Sequence, residues 1–234
     1  MAEPIPPRGN IITIDGPAGA GKSSVARRLA DRLDMQFLDT GAMYRAVAAA
    51  TLDAGADPAD PDAAARLADQ LRIRFNWDAD PPAVKVDGRD VAHRLRDTDV
   101  TLAVSHIAAN PRVRDVLVRA QRRIGHEHPD LVTEGRDQGS VVFPHAPVKF
   151  YLDASPEVRA RRRAEQLRDA GRPADENAIR QQIVDRDRRD AARRDGPLIQ
   201  PPDAHVIDSS AMTLEKVVGT MTDLARRALA GGAR

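Results

Sequence analysis

The fold of this chain is decided by Asn10-Ile-Ile-Thr-Ile-Asp15 and by the loop after it, Gly16-Pro17-Ala18-Gly19-Ala20-Gly21-Lys22-Ser23. The first segment is a short apolar, β-branched run, which predicts a buried strand. The second matches the pattern G-x-x-x-x-G-K-[ST], in which glycines let successive backbone N–H groups surround an anion. Apolar residues at helical spacing over residues 25–33 predict a helix directly after the loop. This strand–loop–helix context predicts a phosphate-binding loop (P-loop, residues 16–23) for a nucleoside triphosphate, with Lys22 at the terminal phosphates and the Ser23 hydroxyl at Mg²⁺.

Strands and helices alternate along the rest of the chain. Further buried strands are predicted at residues 36–38, 131–134, 148–152 and 205–207. Helices are predicted from about residue 41 to 52, from 98 to 124 with a break at Asn110-Pro111, and over 156–170, 176–194 and 213–229. Strict alternation of apolar and polar residues over 71–77 and 83–87 predicts a small antiparallel β insertion. We therefore expect an α/β, three-layer P-loop fold with a central parallel five-stranded sheet.

The composition excludes several classes of protein. The 36 basic and 35 acidic residues nearly cancel, so net charge gives no argument for nucleic-acid or membrane binding. The absence of cysteine excludes a disulfide scaffold, a cysteine-ligated zinc site and a cysteine nucleophile. No apolar run approaches the ~18–20 residues that span a bilayer, and the first ten residues lack the apolar core of a signal peptide. We expect a cytoplasmic protein.

Other segments carry polar side chains suited to an anionic acceptor: residues 39–45, Ser105 with Arg112 and Arg114, residues 134–137, and residues 186–193. With the P-loop they resemble the bacterial cytidylate (CMP) kinase family over roughly residues 10–228. The matching motifs are Ile14-Asp15-Gly16-Pro17, Leu38-Asp39-Thr40-Gly41, Gly135-Arg136-Asp137-Gln138-Gly139, Ala146-Pro147-Val148-Lys149 and Leu152-Asp153-Ala154-Ser155. The β insertion is also a feature of this family.

The resemblance implies a phosphotransferase that moves the ATP γ-phosphate to CMP or dCMP, with Mg²⁺ as cofactor. It implies a kinase core over residues 10–60 and 98–230, a helical lid over about 156–196, and a β insertion over 61–97. The implied catalytic residues are Lys22, Arg136, Arg186 and Arg193, and Ser23 is the implied metal ligand. The implied ATP-binding residues are Gly16, Pro17, Ala18, Gly19, Ala20, Gly21, Lys22, Ser23, Ser24 and Arg162.

The resemblance also assigns residues to the acceptor nucleotide. Ser105, Arg114 and Asp137 would read cytosine, whose N4 amino group donates to a carboxylate. The acceptor phosphate would be held by Arg45, Arg136, Arg186 and Arg193, while Asp190 would contact the sugar hydroxyls and Tyr44 would pack beside the nucleotide. The implied CMP-binding residues are Asp39, Thr40, Tyr44, Arg45, Ser105, Arg114, Arg136, Asp137, Arg186, Asp190 and Arg193. Such a site needs no general base, because a phosphate monoester with a second pKa of about 6 is already largely a nucleophilic dianion at neutral pH.

The predicted helices between residues 156 and 196 are rich in arginine. Residues 156–196 contain twelve arginines, no lysine and nine acidic residues. In the family, arginines of the lid approach ATP, but the consecutive Arg161, Arg162 and Arg163 cannot share one helical face, since each step turns by about 100°.

Two other functions stay open. The chain could instead be a P-loop kinase for another small acceptor, such as UMP or a hydroxy acid. It could also be a nucleotide-binding RNA-interaction module, which balanced charge and few aromatic residues weigh against. Among partners we expect ATP and CMP or dCMP, no nucleic acid, no membrane, and a monomer.

Overall fold

A computed structural model describes residues 9–231 of the chain. Its elements in chain order are β1 (Ile11–Asp15), α1 (Lys22–Leu33), β2 (Gln36–Asp39), α2 (Thr40–Asp53), α3 (Pro61–Gln70), β3 (Ile73–Asn76), β4 (Ala83–Val86), β5 (Arg89–Asp90), α4 (Thr98–Ala109), α5 (Pro111–Glu127), β6 (Leu131–Gly135), a π-helical turn (Gln138–Val142), β7 (Val148–Asp153), α6 (Pro156–Asp169), α7 (Glu176–Ala191), β8 (His205–Asp208) and α8 (Leu214–Gly231).

The predicted central parallel sheet is confirmed. Its five strands are ordered β2-β6-β1-β7-β8. β1 pairs in parallel with β6 and β7, and β7 pairs in parallel with β8. Every residue of β1 is buried, as expected for a strand covered on both faces. The carboxyl ends of β1 and β6, at Asp15 and Gly135, are adjacent in register, so the P-loop and the segment after β6 begin side by side.

Two compact units make up the described chain. One comprises residues 9–35 and 129–231, and it contains β1, β6, β7 and β8 with α1, α6, α7 and α8. The other, Gln36–His128, contains α2 to α5 and the antiparallel sheet β3-β4-β5. The predicted antiparallel insertion is thus confirmed, with β5 as a third strand that the sequence did not indicate.

Residues 61–97 also hold a helix that the sequence did not reveal. Asp60 caps α3 by accepting hydrogen bonds from the backbone N–H groups of Asp62 and Ala63, and Pro61 occupies the first turn. The buried face of α3 consists of Ala64, Ala65 and Ala68, whose small side chains give a weak periodic signal. The assignment of 61–97 as one inserted domain stays a prediction.

The two charged helices of the predicted lid are present as α6 and α7. Ser155 caps α6, and Gly171 has a positive φ of 68° in the connection before α7. The two helices share an apolar cluster of Ala160, Ala164, Ile179 and Ile183, with Leu167 and Ala174 packed against it. Their role as a lid stays a prediction. Within residues 9–231, no helix combines the length and the apolar character that crossing a membrane requires.

Candidate active site

The P-loop has the backbone conformation that its glycines predict. Gly19 and Gly21 have φ values of 80° and 90°, in the region that favours glycine. At Gly16 a Cβ atom would lie 2.0 Å from the carbonyl oxygen of Leu152, so only glycine fits this close approach. The loop therefore leads directly into α1, where N–H groups at the helix N-terminus favour an anion.

Lys22, the predicted catalytic lysine, is buried at the start of α1. Its Nζ donates a hydrogen bond to the carbonyl oxygen of Pro17 at 2.9 Å. Burial, helped by the charge of Arg136, lowers the pKa of Lys22 to about 7, although Glu134 and Asp15 act in the opposite direction. A lysine desolvated in this way gains most from an incoming polyphosphate, which restores a partner for its charge.

Ser23, the predicted metal ligand, lies beside an acid. Its hydroxyl donates to Oε1 of Glu134, the fourth residue of β6, at 2.6 Å. Glu134 is buried, so a hydroxyl oxygen and a carboxylate meet beside the loop. These are the hard oxygen donors that Mg²⁺ prefers. Ser24, also predicted to bind ATP, is the third residue of α1 and is exposed.

Two residues without a predicted role contact the backbone of the P-loop. The Arg159 guanidinium is buried and donates to the carbonyl oxygen of Ala18 at 3.0 Å and to Oδ2 of Asp187 at 2.6 Å. Oδ1 of Asp187 accepts the N–H of Ala18 at 3.4 Å. Arg159 also donates to the carbonyl oxygen of Ala154 at 2.8 Å, which anchors its side chain to the end of β7. An α6 residue and an α7 residue thus meet at one residue of the P-loop, Ala18.

Arg162, the lid arginine predicted to bind ATP, contacts a different segment. Its guanidinium donates to the carbonyl oxygen of Ser209 at 2.8 Å and to the Ser209 hydroxyl at 3.2 Å. Arg161 and Arg163, on either side of it, are exposed. Arg162 is thus the least exposed of the three, and which of them approaches ATP stays a prediction.

Three of the arginines assigned to the acceptor phosphate meet at one buried carboxylate. Asp190 accepts from Nε of Arg136 at 3.1 Å, pairs with Arg193, and lies 3.9 Å from Nε of Arg186. Burial alone would raise the pKa of Asp190, but the charges of Arg136, Arg193 and Arg186 outweigh it and hold the pKa below its ordinary value. Three guanidinium groups around one ionised carboxylate leave an excess of positive charge, which an anion could neutralise.

The remaining unit, Gln36–His128, carries the other residues assigned to CMP. Oδ1 of Asp39 caps α2 by accepting the N–H of Ala42 at 2.9 Å, and Thr40 begins that helix and is buried. Nη1 of Arg45 donates to the Thr101 hydroxyl at 3.0 Å, and also to the carbonyl oxygen of Leu95 at 3.1 Å.

The residues assigned to the cytosine base are buried or half-buried. Nη1 of Arg114 lies within hydrogen-bond distance, 3.3 Å, of the Tyr44 hydroxyl, and both residues are buried. Ser105 is a half-buried residue of α4. Asp137 follows β6 in the first unit and is 3% exposed, which is rare for a carboxylate outside a specific site.

Comparison with known proteins agrees with the motifs. The family model for cytidylate kinase matches residues 12–227. A cytidylate kinase of Corynebacterium efficiens is 46% identical over 220 residues, covering 94% of this chain and 96% of that protein. A cytidylate kinase of Mycobacterium avium is 45% identical over 217 residues, covering 93% and 95%. A solved structure of an uncharacterised protein from Eubacterium ventriosum shares the fold with a TM-score of 0.50 at 12% identity, covering 93% of this chain and 98% of that one.

Proposed function

This chain belongs to the cytidylate kinase family, and we propose on that premise that it transfers the ATP γ-phosphate to CMP or dCMP, giving ADP and CDP or dCDP. The observation that carries this proposal is the cluster of Arg136, Arg186 and Arg193 around Asp190. A nucleoside monophosphate brings a dianion to such a cluster and a sugar edge to its carboxylate. A hydroxy acid offers one singly charged carboxylate, which balances fewer of these guanidinium charges than a phosphate dianion does.

The donor half of the reaction is assigned to the P-loop. Its amides and Lys22 would bind the β- and γ-phosphates, and Lys22 would neutralise charge that develops as the γ-phosphoryl group leaves. The acceptor arginines would offset the repulsion between the two polyanions and hold the attacking oxygen in line. Because the acceptor is already ionised, no residue has to remove a proton from it.

A magnesium ion is proposed as the cofactor, and the oxygen donors at the P-loop fit it. The Ser23 hydroxyl would ligate the ion directly, and Glu134 would hold that hydroxyl or a water of the ion in place. When bound, the ion neutralises charge on the β- and γ-phosphates. Adding excess EDTA should abolish phosphoryl transfer, and excess Mg²⁺ should restore it.

Base recognition is proposed for Ser105, Arg114 and Asp137. Asp137 would accept from the N4 amino group of cytosine, while Arg114 and Ser105 would donate to N3 and O2. Tyr44 would pack beside the nucleotide, Arg45 would join the phosphate-binding arginines, and Asp39 and Thr40 would border the site. Arg162 would have to leave Ser209 to reach ATP. Location in the cytoplasm, a monomeric state and the absence of nucleic-acid or membrane partners stay predictions.

The test is a substrate panel with ATP and Mg²⁺, in which ADP release is measured with CMP, dCMP, UMP, a hydroxy acid or RNA. CMP or dCMP should give the highest kcat/KM, and RNA should give no release. Arg136→Met should raise the KM for CMP and lower kcat, with little change in ATP affinity. Higher kcat/KM with a hydroxy acid than with CMP would contradict the proposal, and so would ADP release that depends on RNA.

A further inference from the structure

The carboxylate of Asp15 holds the turn that follows the acceptor-binding residues. Asp15 is the last residue of β1 and directly precedes the P-loop. Its Oδ1 accepts the N–H of Gln138 at 2.7 Å, and its Oδ2 accepts the N–H of Gly139 at 2.7 Å. Both amides belong to the first turn of the π-helical segment, immediately after Arg136 and Asp137.

The turn packs closely against β1 and β7 at Gly139, with no room there for a side chain. A Cβ atom at Gly139 would lie 2.8 Å from the Thr13 hydroxyl, 3.1 Å from Cδ of Lys149 and 3.3 Å from Oδ2 of Asp15. Within the same turn, the carbonyl oxygen of Asp137 accepts the N–H groups of Val141 at 2.9 Å and Val142 at 3.1 Å. The backbone of Asp137 is therefore fixed by the turn, and the turn is fixed by Asp15.

Only an ionised carboxylate makes both contacts of Asp15. Each of its oxygens accepts one N–H, whereas an asparagine would present an NH₂ group to one of the two amides. Burial raises the pKa of Asp15 to about 7, although the N–H groups of Gly139 and Gln138 act in the opposite direction. A fully buried acid with this perturbation, next to a substrate loop, is more typical of a functional position than of a packing one.

We propose that Asp15 is a positioning residue for the acceptor nucleotide, which it serves by fixing the backbone of Arg136 and Asp137 against the strand that leads into the P-loop. This inference rests on the proposed CMP kinase function. It assigns to one side chain the link between the two halves of the reaction, because Asp15 adjoins the donor loop covalently and the acceptor segment through hydrogen bonds. It predicts that a substitution of Asp15 lowers kcat/KM for CMP and the preference for CMP over UMP.

The experiment is a kinetic comparison of the wild type with Asp15→Asn. A hydrogen bond to a charged group contributes about 1.5–3 kcal/mol, so we expect a loss of about 10- to 100-fold in kcat/KM for CMP. The preference for CMP over UMP should fall at least about tenfold, because the backbone of Asp137 is no longer held in position. The affinity for ATP should change less than about threefold. Unchanged CMP kinetics, or loss of ATP affinity alone, would overturn the proposal.

Thr133→Val is the matched control. The Thr133 hydroxyl donates to the side-chain oxygen of Gln138 at 2.9 Å, so the variant removes a buried hydrogen bond to the same turn but leaves both amides on Asp15. It should lower thermal stability without changing the preference for CMP over UMP. An equal loss of preference in this variant would mean that general packing is responsible, and would overturn the assignment to Asp15.

A second perturbation displaces the turn without altering the carboxylate. Gly139→Ala should raise the KM for CMP as Asp15→Asn does, and Thr13→Ala in the same chain should recover part of the loss by removing the nearest clashing atom. Hydrogen exchange in the wild type gives a test that does not depend on whether the variants fold. The amides of Gln138 and Gly139 should exchange slowly, and fast exchange there would overturn the proposal.

A wild type that does not phosphorylate CMP would refute the proposed function itself. Normal wild-type activity together with unaltered kinetics in the variants would refute only the inference about Asp15.

Discussion

Lys22 is buried by the protein itself, and this burial changes its protonation. With a pKa lowered to about 7 in the free protein, a growing fraction of Lys22 is neutral above pH 7. A bound triphosphate favours the charged form and raises that pKa, so nucleotide binding takes up a proton between about pH 7 and the raised value.

We therefore expect ATP affinity to fall as pH rises above 7, by up to about tenfold per pH unit. Calorimetric titrations at pH 8.5 in buffers of different ionisation enthalpy should show proton uptake, and Lys22→Ala should abolish it. The same variant should lose more than about 90% of kcat, which is a barrier increase of at least ~1.4 kcal/mol. Proton-neutral ATP binding by the wild type at pH 8.5 would refute the lowered pKa.

Asp137 is the residue on which base selectivity should depend. A site that hydrogen-bonds a substrate NH group rejects an analogue without it by roughly 10⁴–10⁵-fold, although a bridging water can reduce this margin. Asp137→Asn should relax the preference toward UMP, because the amide can donate to O4 of uracil. The measurement is kcat/KM for CMP and UMP in both proteins at pH 7. Equal use of CMP and UMP by the wild type would remove the base-reading role but not the kinase assignment.

At the scale of elements, Asn110 joins three helices of the Gln36–His128 unit. It ends α4, its side-chain oxygen accepts the N–H groups of Arg112 and Val113 in the first turn of α5, and its Nδ2 donates to the carbonyl oxygen of Pro61 in α3 at 2.7 Å. Asn110→Ala loses the cap, at about 1 kcal/mol, and the hydrogen bond to α3, at about 1 kcal/mol more.

Thermal unfolding should therefore shift downward by about 4–8 °C in Asn110→Ala. Asn110→Ser, which keeps a capping oxygen but loses the donor to Pro61, should shift by about half as much, with kcat unchanged at 25 °C in both variants. Equal shifts in the two variants would show that the cap contributes nothing.

The elements that the sequence predicts are those whose signal is local. Buried β-branched runs predict the strands, and the glycine pattern predicts the P-loop, because each depends on neighbours within a few residues. The acceptor cluster around Asp190 was assigned only through the family resemblance. The turn at Gln138 could not be foreseen, since the acid that holds it lies 123 residues away in sequence. Arg159 is one arginine among many on α6, and nothing local separates it from its solvated neighbours.

For the whole molecule, the expectation of a monomer can be tested directly. The large apolar side chains most exposed among residues 9–231 are Leu102, Ile199 and Val206. Three such side chains supply little of the contiguous apolar patch that a stable homodimer buries. Light scattering should give 25.5 kDa at every concentration tested, and a mass near twice that value would contradict the expectation.

Asp187 makes the P-loop a binding site with a tethered competitor. Its carboxylate already occupies the N–H of Ala18, at an effective concentration that the fold fixes and that dilution cannot lower. A phosphate oxygen that binds this N–H would have to displace the carboxylate, so we expect an apparent affinity below the intrinsic affinity of the loop. Asp187→Ala should therefore tighten nucleotide binding in a direct titration, since it also frees the Arg159 guanidinium from its carboxylate partner. Weaker binding would mean instead that the Arg159–Asp187 ion pair is needed to form the loop. Tighter binding would mean that Asp187 lowers nucleotide affinity, which favours faster release of ADP after the reaction.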